Sequence, residues 1–509
     1  MSGNGRPRSL VLVTVDCLRA DHAGFMGYAQ PTTPFLDSLA KESLVADAIV
    51  AGAPTYYSFP AIMTSRMPLA LGRDVVGLAP GEPSLATVLA YCGYRTAAFN
   101  AGNVYLSSRS GYEQGFEVFS DFLDADIVGA DGPRASRKSQ IAWYSRLNRG
   151  LERVSRRFRP AGAVYDELYF QYCQSLASRS KNDMDQLRRV PAADVLVNQA
   201  LTWMQSVAGQ PFFLWLHFMD AHHPYYPPLE ALSKMGRDDI DANRARYLNC
   251  FWDRADVDAR RLLRHREDVV ALYDAGIRWV DMQLARLVDG LLEVGAWAET
   301  ALVVTADHGE EFLEHGGRYH APVKLTEEII RVPLLMRVPG DHACAVNGSP
   351  FSLVHLAPTL LEALGLPASE EFDGRSHWTD LRTGYLDGTA AVVEVVDGCT
   401  NPLRTQDRLG PRLLAIRDSR YKLIFQFRDG REELFDLQSA PAEHSPLPQD
   451  EARSERRRLL EVAKEHLSQS TKPAQIALRM RARMQELRRG WEKEQLPDRR
   501  AAIVAHTGT

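Results

Sequence analysis

The strongest constraint on the fold of this chain is a run of apolar residues that ends in a carboxylate and an imidazole. Residues 301–308 read ALVVTADH, with six small, apolar or β-branched residues before Asp307 and His308. Such a run predicts a strand buried on both faces of a parallel sheet. Ligands of open α/β sheets bind beyond the carboxyl ends of the strands, where an adjacent oxygen and nitrogen donor would suit a divalent cation. A helix cap followed by a surface histidine is the alternative.

Two other apolar runs end in the same way. Ser9–Val15 is predicted to be a buried strand, and Asp16 follows it. Residues 210–217 (QPFFLWLH) predict a third strand, and Asp220 and His222 lie just beyond its end. Because a buried carboxylate without a partner is costly, these strand ends predict a cation that faces them. For Asp16, a cap for the next helix is the alternative.

The remaining pattern predicts an α/β fold followed by a smaller β unit. Helices are predicted over residues 32–46 and 267–294, and a further strand over residues 332–338. From about residue 384 the pattern changes to short strands, typical of a small antiparallel sheet. The predicted units are an α/β domain of residues 1–385 with a basic helical insertion at about 120–190, a β subdomain of residues 386–445, and a charged helical tail of residues 446–509.

Charge and cysteine content exclude several classes of function. The formal net charge is −5, so the chain has no general attraction for nucleic acid or for an anionic membrane. Six scattered cysteines without a CxxC pair predict neither a structural zinc site nor a disulfide framework. No apolar run approaches about 18 residues, so no transmembrane helix is expected and a cytoplasmic location is predicted. In the insertion, arginines between apolar residues at helical spacing favour a lid for an anionic substrate, a surface for an acidic partner, or a solvated helix packed on the core.

Residues 54–64 (PTYYSFPAIMT) place hydroxyl groups before a helix predicted to begin at residue 61. Unpaired N–H groups at a helix N-terminus create a positive field. In that field, and next to a metal, a Thr or Ser oxygen loses its proton more easily and can serve as a nucleophile. A plain helix cap is the alternative, and the local sequence does not separate the two.

Five segments in this order resemble the sulfatase family of the alkaline-phosphatase superfamily. They read LVLVTVDCLRADHAGFMGY with TTPFLDSLA, PTYYSFPAIMTS, GYRTAAF, PFFLWLHFMDAHHPYYPP, and VVTADHGEEFLEHGG with RVPLLMRVPG. The resemblance covers most of residues 9–440, but not the insertion or the final tail. It implies a large mixed, mostly parallel α/β sheet between helices, with a metal at the strand ends.

The resemblance also implies the metal ligands and the nucleophile. Carried over by position, Asp16, Asp307 and His308 match metal ligands of the family. Counting back nine residues from the threonine that closes the PTYYSFPAIMT block gives Thr55 as the nucleophile. Ser58 is the rival, because the SFP triplet that it begins resembles the Cys/Ser-x-Pro start of the sulfatase signature.

Further residues are expected to bind the substrate. His222 matches the active-site histidine that follows the third strand in the family. His320 lies near where relatives carry a substrate-binding lysine, and Lys324 is the alternative for that role. Asn103 lies beyond the strand that contains GYRTAAF and is a neutral donor suited to an oxyanion, with a turn asparagine as the alternative.

Three departures separate this chain from the arylsulfatases. Cys17 follows Asp16 where they usually have two acidic residues, which weakens the case for their type of calcium site. The arginine of their signature is missing whichever hydroxyl is the nucleophile, so a formylglycine is not expected. Asn-Ala-Gly-Asn stands where they have Lys-x-His, and a Thr nucleophile near an Asn resembles the phosphodiesterase-like branch, which uses two metals. One metal would be held by Asp16, Thr55, Asp307 and His308, and the other by Asp220, His222 and His320.

The expected function is metal-dependent hydrolysis of a sulfate or phosphate ester through a covalent Thr or Ser intermediate. The cation, Ca²⁺, Mn²⁺, Zn²⁺ or Mg²⁺, would activate the nucleophile and polarise the ester. The substrate would be a small anionic ester, and the C-terminal helices would pack on the body or on a second subunit as a homo-oligomer. Two alternatives stay open at this point: transfer of the phospho-group to an acceptor other than water, and a catalytically silent scaffold that keeps the fold.

Overall fold

A mixed sheet forms the centre of the structure. The computed structural model describes residues 7–123, 167–168, 170–172, 174–175, 177, 183–322, 324–388, 390–440, 442–469 and 479–485. Within these residues the central sheet has nine strands, and an antiparallel sheet of four strands follows it in the chain. The mixed, mostly parallel central sheet and the small C-terminal sheet confirm the predicted fold class. The insertion predicted at about 120–190 lies mostly outside the described residues.

The described residues form the following strands and helices. The strands are β1 (Ser9–Val15), β2 (Leu44–Ile49), β3 (Arg95–Asn100), β4 (Val118–Ser120), β5 (Phe212–Phe218), β6 (Thr300–Ala306), β7 (Glu311–Phe312), β8 (Arg318–Tyr319), β9 (Arg331–Arg337), β10 (Cys344–Ala345), β11 (Asn347–Gly348), β12 (Phe351–Ser352), β13 (Tyr385–Leu386), β14 (Ala391–Val396), β15 (Arg412–Arg417), β16 (Tyr421–Gln426) and β17 (Arg431–Asp436). The α-helices are α1 (Pro34–Leu39), α2 (Thr55–Thr64), α3 (Leu85–Tyr91), α4 (Met184–Leu187), α5 (Ala193–Ser206), α6 (Leu229–Lys234), α7 (Ala242–Trp252), α8 (Ala259–Leu263), α9 (Arg266–Glu293), α10 (Glu327–Ile330), α11 (Leu356–Ala363), α12 (Trp378–Thr383) and α13 (Arg453–Gln469).

β1 lies in the middle of the central sheet, whose order is β10-β2-β9-β6-β1-β5-β3-β4, with β12 also paired with β2. All of its residues are buried, as expected for an unbroken apolar run. Val15 pairs in parallel with Phe218 of β5 on one side and with Ala306 of β6 on the other. The three strands therefore end level, and Asp16 and Asp307 leave the sheet next to each other.

The sequence predicted a single helix over residues 32–46, and the structure differs from that prediction. α1 ends at Leu39, and after a 3-10 turn the chain enters β2, which pairs antiparallel with β9. Buried and half-buried side chains alternate over the first four residues of β2, which is the period of a strand. The prediction was wrong because apolar residues on either side of this boundary also happen to fit a helical spacing.

The longest described helix, α9, packs against α5, α6 and α7. Neither α9 nor any other helix in the described ranges combines the length and the apolar character that crossing a membrane requires. The cytoplasmic location expected from the sequence stays a prediction.

The small sheet β14–β17 is covered by α13. Leu459 and Ala463 of this helix pack on the buried Leu414, Ile416 and Leu434 of the sheet. The first helix of the charged tail therefore packs on the body of the protein, which is one of its two predicted positions. The homo-oligomer and the division into three units stay predictions.

Candidate active site

Two carboxylates and an imidazole meet at the level ends of β1 and β6. Oδ1 of Asp16 lies 3.6 Å, and Oδ2 of Asp307 3.5 Å, from Nε2 of His308. All three side chains, which we call the strand-end triad, are fully buried. Two ligand atoms bound about 2.0–2.2 Å from a tetrahedral metal ion are roughly 3.3–3.5 Å apart. The spacing of the triad therefore fits donor atoms that share one cation.

The charges of the strand-end triad also fit a cation. Oδ2 of Asp307 is buried and accepts no hydrogen bond from any described residue. Burial and the neighbouring Asp16 raise the pKa of the Asp307 carboxyl. Burial also opposes ionisation of Asp16, but His222, His217 and His308 outweigh it and hold the pKa of this carboxyl well below its usual range. A divalent cation would neutralise both carboxylates and bind the unpaired oxygen.

His308 is oriented by the main chain. Its Nδ1 lies 2.9 Å from the carbonyl oxygen of Gly309, to which the Nδ1–H donates. The proton on Nδ1 leaves the lone pair of Nε2 facing the two carboxylates and the hydroxyl of Thr55. A histidine that binds a metal is normally fixed in this way, with its other ring nitrogen donating to a carbonyl or carboxylate.

Thr55 is the hydroxyl that meets the strand-end triad. α2 begins at Thr55, six residues earlier than predicted, and contains Pro60 in its interior. The Thr55 Oγ1 lies 3.3 Å from Nε2 of His308. Ser58, one turn further along α2, is fully buried, and its Oγ has no hydrogen-bond partner among the described residues. Of the two hydroxyls left open by the sequence, the structure brings Thr55 to the triad.

A cavity of about 390 Å³ opens beside the triad. Four of the residues predicted to act on the substrate line it, namely Thr55, Asn103, His222 and His320. The other lining residues are Pro54, Tyr56, Gly102, Val104, Tyr105, Met219, Arg318, Tyr319, Ala321, Pro322 and Thr400. The walls are therefore largely aromatic and apolar.

Asn103 and His217 hold the second oxygen of Asp16. Nδ2 of Asn103 donates to Oδ2 of Asp16 at 2.9 Å, and Nε2 of His217 lies 3.4 Å from the same oxygen. Nδ1 of His217 lies 3.0 Å from the hydroxyl oxygen of Thr14 in β1. The sequence placed His217 at a strand end but gave no sign that it contacts Asp16, since that contact depends on the register of β1 against β5.

His320 is paired with a buried carboxylate that sequence reasoning missed. Nδ1 of His320 lies 3.1 Å from Oε1 of Glu310, and the hydroxyl of Tyr225 donates to Oε2 at 3.1 Å. Burial opposes ionisation of Glu310, but His320 and its neighbouring imidazoles hold the pKa of the carboxyl below its usual range. The only signal in the sequence was the position of Glu310 three residues after Asp307.

Two predicted site residues lie elsewhere. Oδ1 of Asp220 accepts a hydrogen bond from the backbone N–H of Ala193 at the start of α5, and burial raises the pKa of this carboxyl to about 7. Asp220 belongs to none of the groups of close metal-ligating side chains in the described residues. Nζ of Lys324 donates to both oxygens of Glu311, at 2.9 Å each, and to the carbonyl of His315. Lys324 therefore serves an ion pair outside the cavity.

The family model described as Sulfatase matches residues 8–366, which is more than half of the chain. The chain belongs to the sulfatase family. The resemblance expected from the sequence motifs is thereby confirmed.

Sulfatase-family relatives match most of the chain at low identity. The choline-sulfatase of Rhizobium meliloti (strain 1021) is 24% identical over 394 residues, which cover 72% of this chain and 67% of that protein. The multifunctional alkaline phosphatase superfamily protein PehA of Trinickia caryophylli is 24% identical over 502 residues, which cover 87% and 92%. A solved phosphonate monoester hydrolase from Silicibacter pomeroyi superposes with a TM-score of 0.64 at 20% identity, over 91% of this chain and 94% of that one. The sequence prediction of an ester hydrolase of the sulfatase family is thereby confirmed.

Proposed function

We propose that this sulfatase-family protein is a metal-dependent hydrolase of small esters with a singly charged tetrahedral group, and that Thr55 is its nucleophile. The observation that carries the proposal is the position of Thr55. It is the first residue of α2, its Oγ1 is 3.3 Å from Nε2 of His308, and it lines the cavity. The unpaired N–H groups at the start of α2 add a positive field that favours an alkoxide there.

A divalent cation held by Asp16, Asp307 and His308 would lower the pKa of the Thr55 hydroxyl and neutralise the charge of the ester. Thr55 Oγ1 then forms a bond to phosphorus or sulfur while the bond to the leaving oxygen breaks, and the hydroxyl proton goes to solvent. His320, held by Glu310, gives a proton to the leaving oxygen. In the second step water attacks the phosphorus or sulfur of the Thr55 ester and gives one proton to His320. The bond from that atom to Thr55 Oγ1 breaks, Oγ1 takes back a proton from solvent, and the free anion leaves.

The charge of the cavity supports a monoanionic group. Among the described residues that line it, Arg318 is the one lysine or arginine. Its Nη1 already donates to the carbonyl oxygens of Trp252 and Arg254. A phosphate monoester carries about two negative charges near pH 7, whereas a phosphate diester, a phosphonate monoester and a sulfate ester carry one. We therefore propose the singly charged group as the substrate class, and a formylglycine is not part of the proposal because Ser58 does not line the cavity.

The test is a comparison of aryl esters of sulfate, phosphate, phosphonate and a phosphate diester. Each is incubated with metal-free protein and added Mn²⁺, Zn²⁺, Mg²⁺ or Ca²⁺, and the matched control is Asp307→Asn, which keeps the volume but removes a ligand charge. The expected result is turnover of the singly charged esters, faster than that of the phosphate monoester, with loss of both turnover and the metal ion of the strand-end triad in Asp307→Asn.

Three outcomes would contradict the proposal. Bound metal without turnover of any ester would favour a silent scaffold. Turnover only in the presence of an added alcohol, with the group found on that alcohol, would show a transferase. Calcium-dependent sulfate turnover, together with an aldehyde at residue 58 in the mass spectrum, would show that residue 58 and not Thr55 is the nucleophile.

A further inference from the structure

Cys17 is a buried thiol at the edge of the strand-end triad that the proposed reaction does not use. Its Sγ lies 3.2 Å from Oδ1 of Asp16 and 3.5 Å from Nδ1 of His320. The residue is fully buried and has a φ of +65°, a left-handed conformation that is uncommon for a non-glycine residue. The hydroxyl of Tyr273 donates to its carbonyl oxygen at 2.7 Å and holds the turn in place. The thiol thus borders the apolar core, and its Sγ faces ionisable groups.

The donor atoms around Asp16 fall into overlapping groups, and Cys17 is also close to His308 and His320. Asp16, Asp307 and His308 form the triad, whereas Asp16, Cys17 and His222 form a second set whose ligand atoms also lie within 4.8 Å of one another. Nδ1 of His222 donates to the carbonyl oxygen of His223 at 2.5 Å, which leaves its Nε2 available as a ligand. The unpaired Oδ2 of Asp307 shows that the neighbouring triad has coordination capacity that the described residues do not fill.

We propose that Cys17 binds a divalent metal ion through its sulfur, together with Asp16 and His222, at a position next to the strand-end triad. The two positions share the carboxylate of Asp16. Cys17 thereby takes the place that sequence reasoning gave to Asp220 in a second metal site. The thiol proton leaves to solvent as the sulfur binds the ion.

The chemistry of the donors sets the class of cation. Sulfur with imidazole selects Zn²⁺ or a similar thiophilic ion, whereas Ca²⁺ and Mg²⁺ prefer oxygen donors. Typical bonds of about 2.3 Å to sulfur and about 2.0–2.2 Å to oxygen place the two atoms roughly 3.5 Å apart on one ion, close to the separation of Cys17 and Asp16. The inference rests on the proposed function only in needing the cluster to bind metal.

The test uses Co²⁺ as a spectroscopic probe. Metal-free protein that carries Cys92→Ser, which removes an exposed thiol, is titrated with Co²⁺ and its absorption recorded. We expect two equivalents to bind and a sulfur-to-cobalt charge-transfer band to appear in the near ultraviolet. Cys17→Ser in this background should lose the band and one equivalent. Asp307→Asn should keep the band and lose the other equivalent.

Affinity gives a second readout. Loss of Cys17 should weaken metal binding at its position by more than the roughly 10- to 100-fold that loss of an outer-shell partner costs.

Bound Co²⁺ without the band, or a band that survives Cys17→Ser, would overturn the inference. Loss of the band in Asp307→Asn would also overturn it, since the sulfur would then bind the ion of the triad. Ester turnover is measured on the same samples, so that a failed proposed function with an intact band is told apart from a failed thiolate site. Melting curves confirm that each variant is folded.

Discussion

The Oγ1 of Thr55 lies 3.3 Å from Nε2 of His308, which joins the first residue of a helix to the end of a buried strand. The helix supplies a positive field and the strand supplies a fixed imidazole beside two carboxylates. This single contact unites the proposed nucleophile with the proposed metal ligands, although the two residues are 253 positions apart in the sequence.

Thr55→Ala should abolish ester hydrolysis. Removal of a nucleophile that acts together with its activating groups costs about 10³-fold or more in kcat. Thr55→Ser keeps the hydroxyl and should retain most of the activity. The check is kcat for the best aryl ester found in the substrate comparison, with mass spectrometry of quenched reactions to locate the covalent group.

Ser58→Ala is the matched control for that experiment. The hydroxyl of Ser58 has no partner among the described residues, so its removal should change neither activity nor stability by much. An inactive Ser58→Ala protein together with an active Thr55→Ala protein would reverse the assignment of the nucleophile.

Glu310→Gln should lower kcat by about 10- to 100-fold, the usual effect of losing a carboxylate that positions a functional histidine. The amide keeps the size of the side chain and can still accept a hydrogen bond from Tyr225, but it lacks the charge that faces His320. Steady-state kinetics and a melting curve are measured together. Tyr225→Phe, which removes the other contact of the carboxylate, should have the smaller effect on kcat. A Glu310→Gln protein with wild-type kcat would show that Glu310 is structural only.

Lys324→Met should destabilise the protein and leave KM unchanged. The substitution removes the ion pair of Glu311, a side chain that is only 2% exposed, and leaves a buried carboxylate with two backbone N–H donors but no cation. The double variant Lys324→Met/Glu311→Gln should recover much of the lost stability. Urea unfolding and KM for the aryl ester are the measurements. A raised KM at unchanged stability would restore Lys324 as a substrate-binding residue.

Asp220→Asn should stabilise the protein increasingly as the pH rises. The ordinary pKa of an aspartate is near 4, and burial raises that of Asp220 to about 7 in the folded protein. Between these values the unfolded chain ionises while the folded protein stays neutral, so stability falls as the pH rises and the loss is complete above about pH 7. Asparagine does not ionise and avoids this loss.

Unfolding of the Asp220→Asn protein at pH 5 and pH 8 measures the effect. The gain at pH 8 should be on the order of 1–2 kcal/mol after allowance for the partial exposure of the side chain. Metal content, determined on the same protein, should equal that of the wild type. Loss of a metal equivalent would show that Asp220 is a metal ligand after all.

The sequence predicted the strands that carry the site because their apolar runs are long and unmixed. The strand expected at residues 301–308 is observed at Thr300–Ala306, and the one at residues 210–217 at Phe212–Phe218. Helix starts were harder to predict. The helix predicted to begin at residue 61 begins at Thr55, and it accommodates Pro60 in its interior, where proline normally breaks a helix.

Residues in the loops beyond the strands could be assigned only in part. The loop after β5 contains both His222, which lines the cavity, and Asp220, which meets the start of α5. The backbone conformation of this short loop decides which of the two side chains faces the cavity, and residue type alone does not predict that conformation. Glu310 and Cys17 were missed for the same reason, since their contacts depend on how two separate strand-end loops face each other.

The buried Lys422 of β16 pairs with Glu327, the first residue of α10, and with Glu443, while the backbone N–H of Glu327 donates to Glu443. Glu327 follows closely on the loop that carries His320. A lysine with no exposed surface requires both partners, so the small sheet and this loop cannot vary independently of each other. The C-terminal segment therefore cannot be exchanged freely: a chimera that took it from a relative without matching charges would contain an unneutralised buried charge close in sequence to the loop that carries His320.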